Sequence, residues 1–247
     1  VVGELKKTAI LEPFTLVVLA LLGAVVGLDG VSFPQAMLSR PLVAATLGGA
    51  VCGSPGSGLL VGLLLECFAL ETMPFGASRY PEWGPASVAA GVVVAVPGAD
   101  PEASARIIPF AVVAGLGAAM LAGRTLIWLR RFNRAAAVRR RDDIAAGDAS
   151  AILRLQWIGL GADFLRAGVL TAAFVLVLVP ARDAVLSASG APGALAVAVA
   201  GPLAVGVAGG AYWKVVHTTK GYAWWLLGGV LAGGAVLEHR ERRAAHR

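Results

Sequence analysis

Hydrophobic positions in this chain come in long runs, broken at a few places by short polar or glycine- and proline-rich stretches. The first run is Phe14–Leu28, and a polar segment, Asp29–Arg40, follows it. Next come two short apolar stretches, Leu42–Val51 and Leu59–Met73, joined by the break Gly53-Ser-Pro-Gly-Ser-Gly58. Neither reaches the ~20 helical residues that a ~30 Å hydrocarbon core requires. The pair therefore predicts a re-entrant hairpin or a broken helix, tolerated at membrane depth only where protein or a water-filled cavity covers it. After a polar link at Ala77–Pro85 there is a third short run, Ala86–Pro97, then a run long enough to span, Ile107–Leu129. Ile152–Pro180 and Ala191–Trp213 can also span, and Tyr222–Leu237 is a short last run after the interruption His217-Thr-Thr-Lys-Gly221. The pattern predicts an all-α integral membrane protein, a multi-span helical bundle with broken or re-entrant helical hairpins.

Composition agrees. Of the 247 residues 57% are hydrophobic and only 15% charged, against about 25% charged in a soluble domain; mean hydropathy is +0.77. Residues 1–247 form a single transmembrane domain on this reading, with no room for a separate soluble catalytic domain. The formal charge of +6 is concentrated. Six arginines, Arg130, Arg131, Arg134, Arg139, Arg140 and Arg141, crowd the stretch 129–150, and Arg240, Arg242, Arg243 and Arg247 crowd the tail 238–247. Beside apolar spans such clusters mark cytoplasmic segments rather than a nucleic-acid interface. The first is expected to be a surface helix and loop, the second a solvated tail. Three apolar runs separate the two clusters, so one of them must be re-entrant or incomplete. Lys6-Lys7 ahead of Phe14–Leu28 has the look of a signal peptide, but no clean cleavage site follows and an uncleaved first helix is expected.

Ionisable residues inside apolar sequence are candidate sites, because a charge at a bilayer centre costs ~2.5–3.5 kcal/mol on insertion scales. Arg40 and Glu66 stand out. Glu66 follows Gly62 by four residues, so the two share a helix face. Its carboxylate can accept two hydrogen bonds from neighbouring hydroxyls of a ligand, or pair with Arg40 and pin the hairpin. Arg40-Pro41 is also a favourable helix start, and Gln35 offers both donor and acceptor groups. The Gly53–Gly58 break could expose backbone amides, but it lacks the Gly-Lys-Ser/Thr of a phosphate loop and a tight hairpin turn explains it better. Asp163 and Arg166, at i,i+3, can pair on one helix. Lys220 follows a polar link and could anchor a helix end or touch substrate. Cys52 and Cys67 have no ligand spacing and are expected to be buried thiols. No cofactor or metal cluster is indicated.

Several elements in this order resemble the IIC membrane component of the mannose/fructose/sorbose family of the bacterial phosphotransferase system. They are Gln35-x-Met37-x-x-Arg40-Pro41-Leu42, the Gly53 turn, Gly58-Leu-Leu-Val-Gly62-Leu-Leu-Leu-Glu66, Pro74-Phe-Gly76-Ala77, the Arg-rich helix, Trp157 and Phe164-Leu-Arg166-Ala-Gly168. The resemblance implies a sugar-translocating subunit in the bacterial inner (cytoplasmic) membrane. It implies a hexose-type sugar, a IID-like membrane partner, soluble IIA and IIB phosphocarriers fed by phosphoenolpyruvate, and an oligomer. Phosphoryl transfer then belongs to the partners, and this chain carries no catalysis. Ser54 stands where the family commonly has an acidic residue, and Glu71, Arg79 and Glu82 add charge where the family is more neutral. The candidate substrate-binding residues are Glu66, Gln35, Arg40, Ser54, Gly62 and Lys220. Two other classes compete: a non-transporting scaffold or sensor descended from the transporter, and an intramembrane serine hydrolase using Ser57 and His217.

Overall fold

A computed structural model describes residues 12–70, 80–96, 101–188 and Val205. Among them every regular element is a helix: α1 (Pro13–Val31), α2 (Pro41–Val51), α3 (Pro55–Ala69), α4 (Trp83–Ala95), α5 (Pro101–Arg139), α6 (Arg141–Ala145) and α7 (Ala149–Ala188). Three of these, α1, α5 and α7, are long and apolar enough to cross a membrane. Their outer faces agree with lipid contact. Val113, Met120, Leu165, Val169, Leu176 and Val177 are each 59–68% exposed, an apolar surface that a water-soluble monomer would not leave open.

The two short stretches flanking the glycine-rich break form the helical hairpin the pattern predicts. At about 1.5 Å per residue, α2 is about 16 Å long and α3 about 22 Å, and neither reaches across ~30 Å of hydrocarbon. Proline opens each helix, where its missing N–H costs nothing. The turn between them is closed by Gly53 at φ +80°, a left-handed conformation that glycine adopts without penalty. The amide of Ser54 donates to the Gly49 carbonyl at 2.9 Å and that of Gly53 to Ala50 at 3.0 Å, which satisfies the last carbonyls of α2.

The third short run becomes α4, the most enclosed element. Every residue from Gly84 to Ala95 is buried, packed among α1, α2, α3, α5 and α7. Small residues make this possible. A Cβ at Gly91 would stand 2.1 Å from the Ala45 carbonyl oxygen, and one at Gly48 would stand 2.4 Å from that of Val88. Here α2 and α4 touch backbone to backbone, the close approach that small residues permit in membranes. Val88, Val92 and Val93 of α4 join Leu19, Val61, Leu65, Ile107 and Val175 in one buried cluster.

The basic stretch is largely exposed helix. Residues 130–139 continue α5 without a break. Between Gly123 and Gly147 the chain has neither glycine nor proline, and arginine and alanine are strong helix formers. The helix yields only at Arg140, followed by the one-turn α6 and a Gly147 at φ +75°. Asp148 then caps α7, accepting the Ser150 amide and hydroxyl at 2.8 Å each and the Ala151 amide at 3.4 Å. These donors hold its carboxyl below the ordinary aspartate range, those from Ser150 most. A depressed pKa means that the cap is intact above the unfolded value and is lost as pH falls through the folded one. Asp148→Ala at neutral pH is therefore expected to speed amide exchange at Ser150 and Ala151, and acid should do the same to the unmodified chain. Unchanged exchange in the variant would show that the cap holds nothing.

Candidate functional site

Polar side chains gather where the end of α1, the start of α2 and the start of α4 meet. The first group joins α2 to α3. Arg40 precedes Pro41 in extended backbone, and its Nε donates to Glu66 Oε1 at 2.7 Å; a second guanidinium nitrogen closes the ion pair on the same oxygen. Glu66 Oε2 accepts the Leu42 amide at 3.1 Å. Leu42 lies in the first turn of α2, so a carboxylate supplied by α3 caps that helix where its dipole favours negative charge. Glu66 thus does structural work with both oxygens, and only Oε2, with a single donor, keeps a further lone pair.

The second group is larger. Arg166 on α7 donates to Glu82 through Nη1 at 2.6 Å and Nη2 at 2.7 Å, a bidentate pair. Its Nη2 also meets Asp163 Oδ1 at 2.6 Å, and Nη1 donates to Thr125 Oγ1 at 2.8 Å. Asp163 Oδ2 in turn accepts the hydroxyl of Ser32, just past α1, at 2.8 Å. The i,i+3 pair read from the sequence is present, and it belongs to a network reaching α1, α5 and the residue before α4. The planar five-donor guanidinium suits such a junction, since it serves two carboxylates and a hydroxyl at once. Glu82 stays in place because its own amide donates to the Ala119 carbonyl at 2.9 Å.

Between the two groups lies a cavity of about 90 Å³. One wall is Ser39, Arg40 and Pro41; the facing wall is Tyr80, Pro81, Glu82, Trp83 and Gly84; Val26, Gly27 and Gly30 of α1 and Leu126 of α5 complete it. Tyr80 is held by Arg130, whose Nη2 donates to the phenol oxygen at 3.2 Å while the guanidinium stacks 5.5 Å from the ring centre. Aromatic faces with a few oriented polar groups are the usual lining of a small-molecule site.

Of the residues predicted from sequence, Arg40 lines this cavity and Glu66 stands behind it. Gln35 lies on the same loop, is exposed and does not line the cavity. Gly62 faces the backbone of Pro41 and Leu42, where a Cβ would come within 2.8 Å of a carbonyl oxygen; it is a packing position in the hairpin. Ser54 lies at the opposite end of α3 from Glu66, its hydroxyl donating to Ser57 at 2.9 Å, so it does not share the Arg40–Glu66 site. Lys220 lies outside the described residues, as do Glu71, Arg79, His217, the apolar runs from Ala191 onward and the tail 238–247. Cys52 and Cys67 are partly rather than fully buried and unpaired. The sequence reading noted Glu82 only as an added charge and passed over Tyr80, Trp83 and Asp29. The aromatic pair flanking a buried acid in Tyr80-Pro-Glu-Trp83 was the signal available for the first three.

Comparison with known proteins places this arrangement. The profile of the family described as PTS system sorbose-specific IIC component matches residues 13–233. The chain belongs to that family. It is thus a multi-pass membrane protein, a sugar-permease subunit of the phosphotransferase type. Among solved structures, one described only as a membrane protein is similar over 88% of this chain and 86% of its own, at 22% identity and a TM-score of 0.69. A cryo-EM structure of the mannose transporter ManYZ in complex with microcin E492 is similar over 89% and 86%, at 20% identity and a TM-score of 0.57. Both likenesses concern the fold. No curated protein sequence matches the chain.

Proposed function

We propose that this IIC component carries a hexose-type sugar across the bacterial inner membrane, and that the sugar is held at the cavity between Arg40 and Trp83. The observation that carries this reading is that cavity. Ser39 and Arg40 at one helix start line it together with Tyr80, Glu82 and Trp83 at another. Arg40 offers hydrogen bonds to sugar hydroxyls, Tyr80 and Trp83 offer ring faces to the apolar side of a pyranose, and Glu66 fixes the arginine. The cavity is about 90 Å³ and is walled in part by the start of the hairpin. Sugar entry on this reading moves the hairpin α2–α3 away from the start of α4. Half-length helices placed at a binding site are the general arrangement of transporters that rock around a fixed substrate.

The partners on this reading are a IID-like membrane subunit and soluble IIA and IIB proteins, which pass phosphate from phosphoenolpyruvate to the arriving sugar. The working unit is an oligomer, and this chain supplies passage and recognition without catalysis. Uptake of radiolabelled hexoses in a strain lacking the gene tests the reading. Wild type should restore uptake. Glu66→Ala, which frees Arg40 and uncaps α2, should lower it at least about tenfold, given ~1.5–3 kcal/mol for each hydrogen bond to a charged group. Full uptake by Glu66→Ala would remove the site assignment. Absence of uptake by the wild type with its partners present would favour a non-transporting scaffold.

A further inference from the structure

Asp29 sits near the C-terminal end of α1, 2% exposed. Both facts are unfavourable for a carboxylate. The helix dipole there is negative, and burial removes hydration that must be replaced by partners. The partners are two backbone amides of the loop that follows: Ala36 N–H donates to Oδ1 at 2.5 Å and Ser39 N–H to Oδ2 at 2.9 Å. Between α1 and α2 this loop has no secondary structure to hold it, and it carries two non-glycine residues in the left-handed region, Gln35 and Met37, each at φ 62°. Such residues persist only where the surroundings impose the conformation. The surroundings include the Asp29 carboxylate, which closes the loop on itself, beside the Ser32 hydroxyl on Asp163 and the Arg40 amide on the Met37 carbonyl. The second amide that Asp29 holds belongs to Ser39, which lines the cavity and is followed directly by Arg40. Asp29 itself does not line the cavity.

We propose that Asp29 is a positioning residue of the sugar site, setting where Ser39 and Arg40 stand on the cavity wall through the loop 32–39. This rests on the sugar-binding reading above. Asp29→Asn keeps the side-chain size but leaves one acceptor oxygen for two amides. The loop then samples other conformations, and the binding-competent fraction falls.

The test uses the chain co-purified with its membrane partner and titrated with radiolabelled mannose, fructose and sorbose. Wild type is expected to bind one of them. Asp29→Asn should bind that sugar at least about tenfold more weakly, with a thermal midpoint in the absence of sugar close to that of wild type. Asp29→Asn/Met37→Asn should recover part of the affinity, because asparagine accepts the left-handed conformation more readily than methionine. Loss of a direct contact between the Asp29 carboxylate and the sugar would not be rescued by a change at residue 37. If Asp29→Asn does not fold alone, the double variant is measured by itself and should show intermediate affinity. Wild-type affinity in either variant overturns the positioning role while leaving the sugar site standing. Failure of the wild type to bind any of the three overturns the sugar reading and this assignment with it.

Discussion

Arg166→Met is expected to lower stability by about 3–5 kcal/mol, the usual result of removing one partner from a buried ion pair. The residue is a hub. Its side chain is 13% exposed, that of Glu82 8% and that of Asp163 1%. Without the guanidinium two carboxylates remain close together in a poorly solvated place, and Thr125 keeps only its bond to the Ala122 carbonyl. The change should appear as a fall in thermal midpoint of the detergent-solubilised protein, on the order of 10 °C at ~2–4 °C per kcal/mol for a chain of this size. A companion variant separates charge from shape. Glu82→Gln/Asp163→Asn/Arg166→Met removes all three charges, and neutralised networks often approach the stability of the charged ones. It should regain most of the loss. A midpoint unchanged by Arg166→Met alone would mean that the network contributes nothing to holding α7 against α1, α4 and α5.

Gly91→Val should be as damaging for a different reason. A Cβ at Gly91 would stand 2.1 Å from the Ala45 carbonyl oxygen, and backbone cannot turn aside as a side chain can. Overpacking of this kind costs typically 1–3 kcal/mol and more where nothing yields; about 3 kcal/mol or more is expected here. The helices α2 and α4 would have to part, and the cavity wall at Ser39–Pro41 would move with α2. Gly117 on α5 supplies the control, since a Cβ there meets nothing within 4 Å. Gly117→Ala should be neutral, or stabilising by up to ~1 kcal/mol through helix propensity alone. Equal midpoints for Gly91→Val and wild type would show that the α2–α4 contact is looser than drawn.

These two sites differ in how far they could be read from sequence. The run pattern was enough to recognise α1, α5 and α7 as spans and α2–α3 as a hairpin of two incomplete helices, because length against bilayer thickness is a strong constraint. The pairing of Arg40 with Glu66 was legible as one of two alternatives, since both stood out as charges in apolar sequence. Asp163 and Arg166 were legible as an i,i+3 pair. Their meeting with Glu82 was not, because it depends on how α7 packs beside the start of α4, a contact 84 residues apart in the chain. Glycines carry the same ambiguity. Gly62 looks alike in sequence whether it makes room for a ligand or for another backbone, and only the position of Pro41 opposite it decides. Ser54 was drawn toward the site by the family's pattern, yet the helix α3 separates it from Glu66 by its own length. The cavity wall from Tyr80 to Gly84 was missed because its residues are unremarkable one by one and acquire a role only when α1 and α5 close around them.

The enclosure of α4 has a consequence for how the protein is made. Thirteen residues of alanine, glycine, valine and their like are too few to cross the bilayer alone, and α4 meets neighbours on every side instead of lipid. Two of those neighbours, α5 and α7, are synthesised after it. When α4 leaves the ribosome, half of the groove that will receive it does not yet exist. Its final packing is completed only when α5 and α7 have emerged.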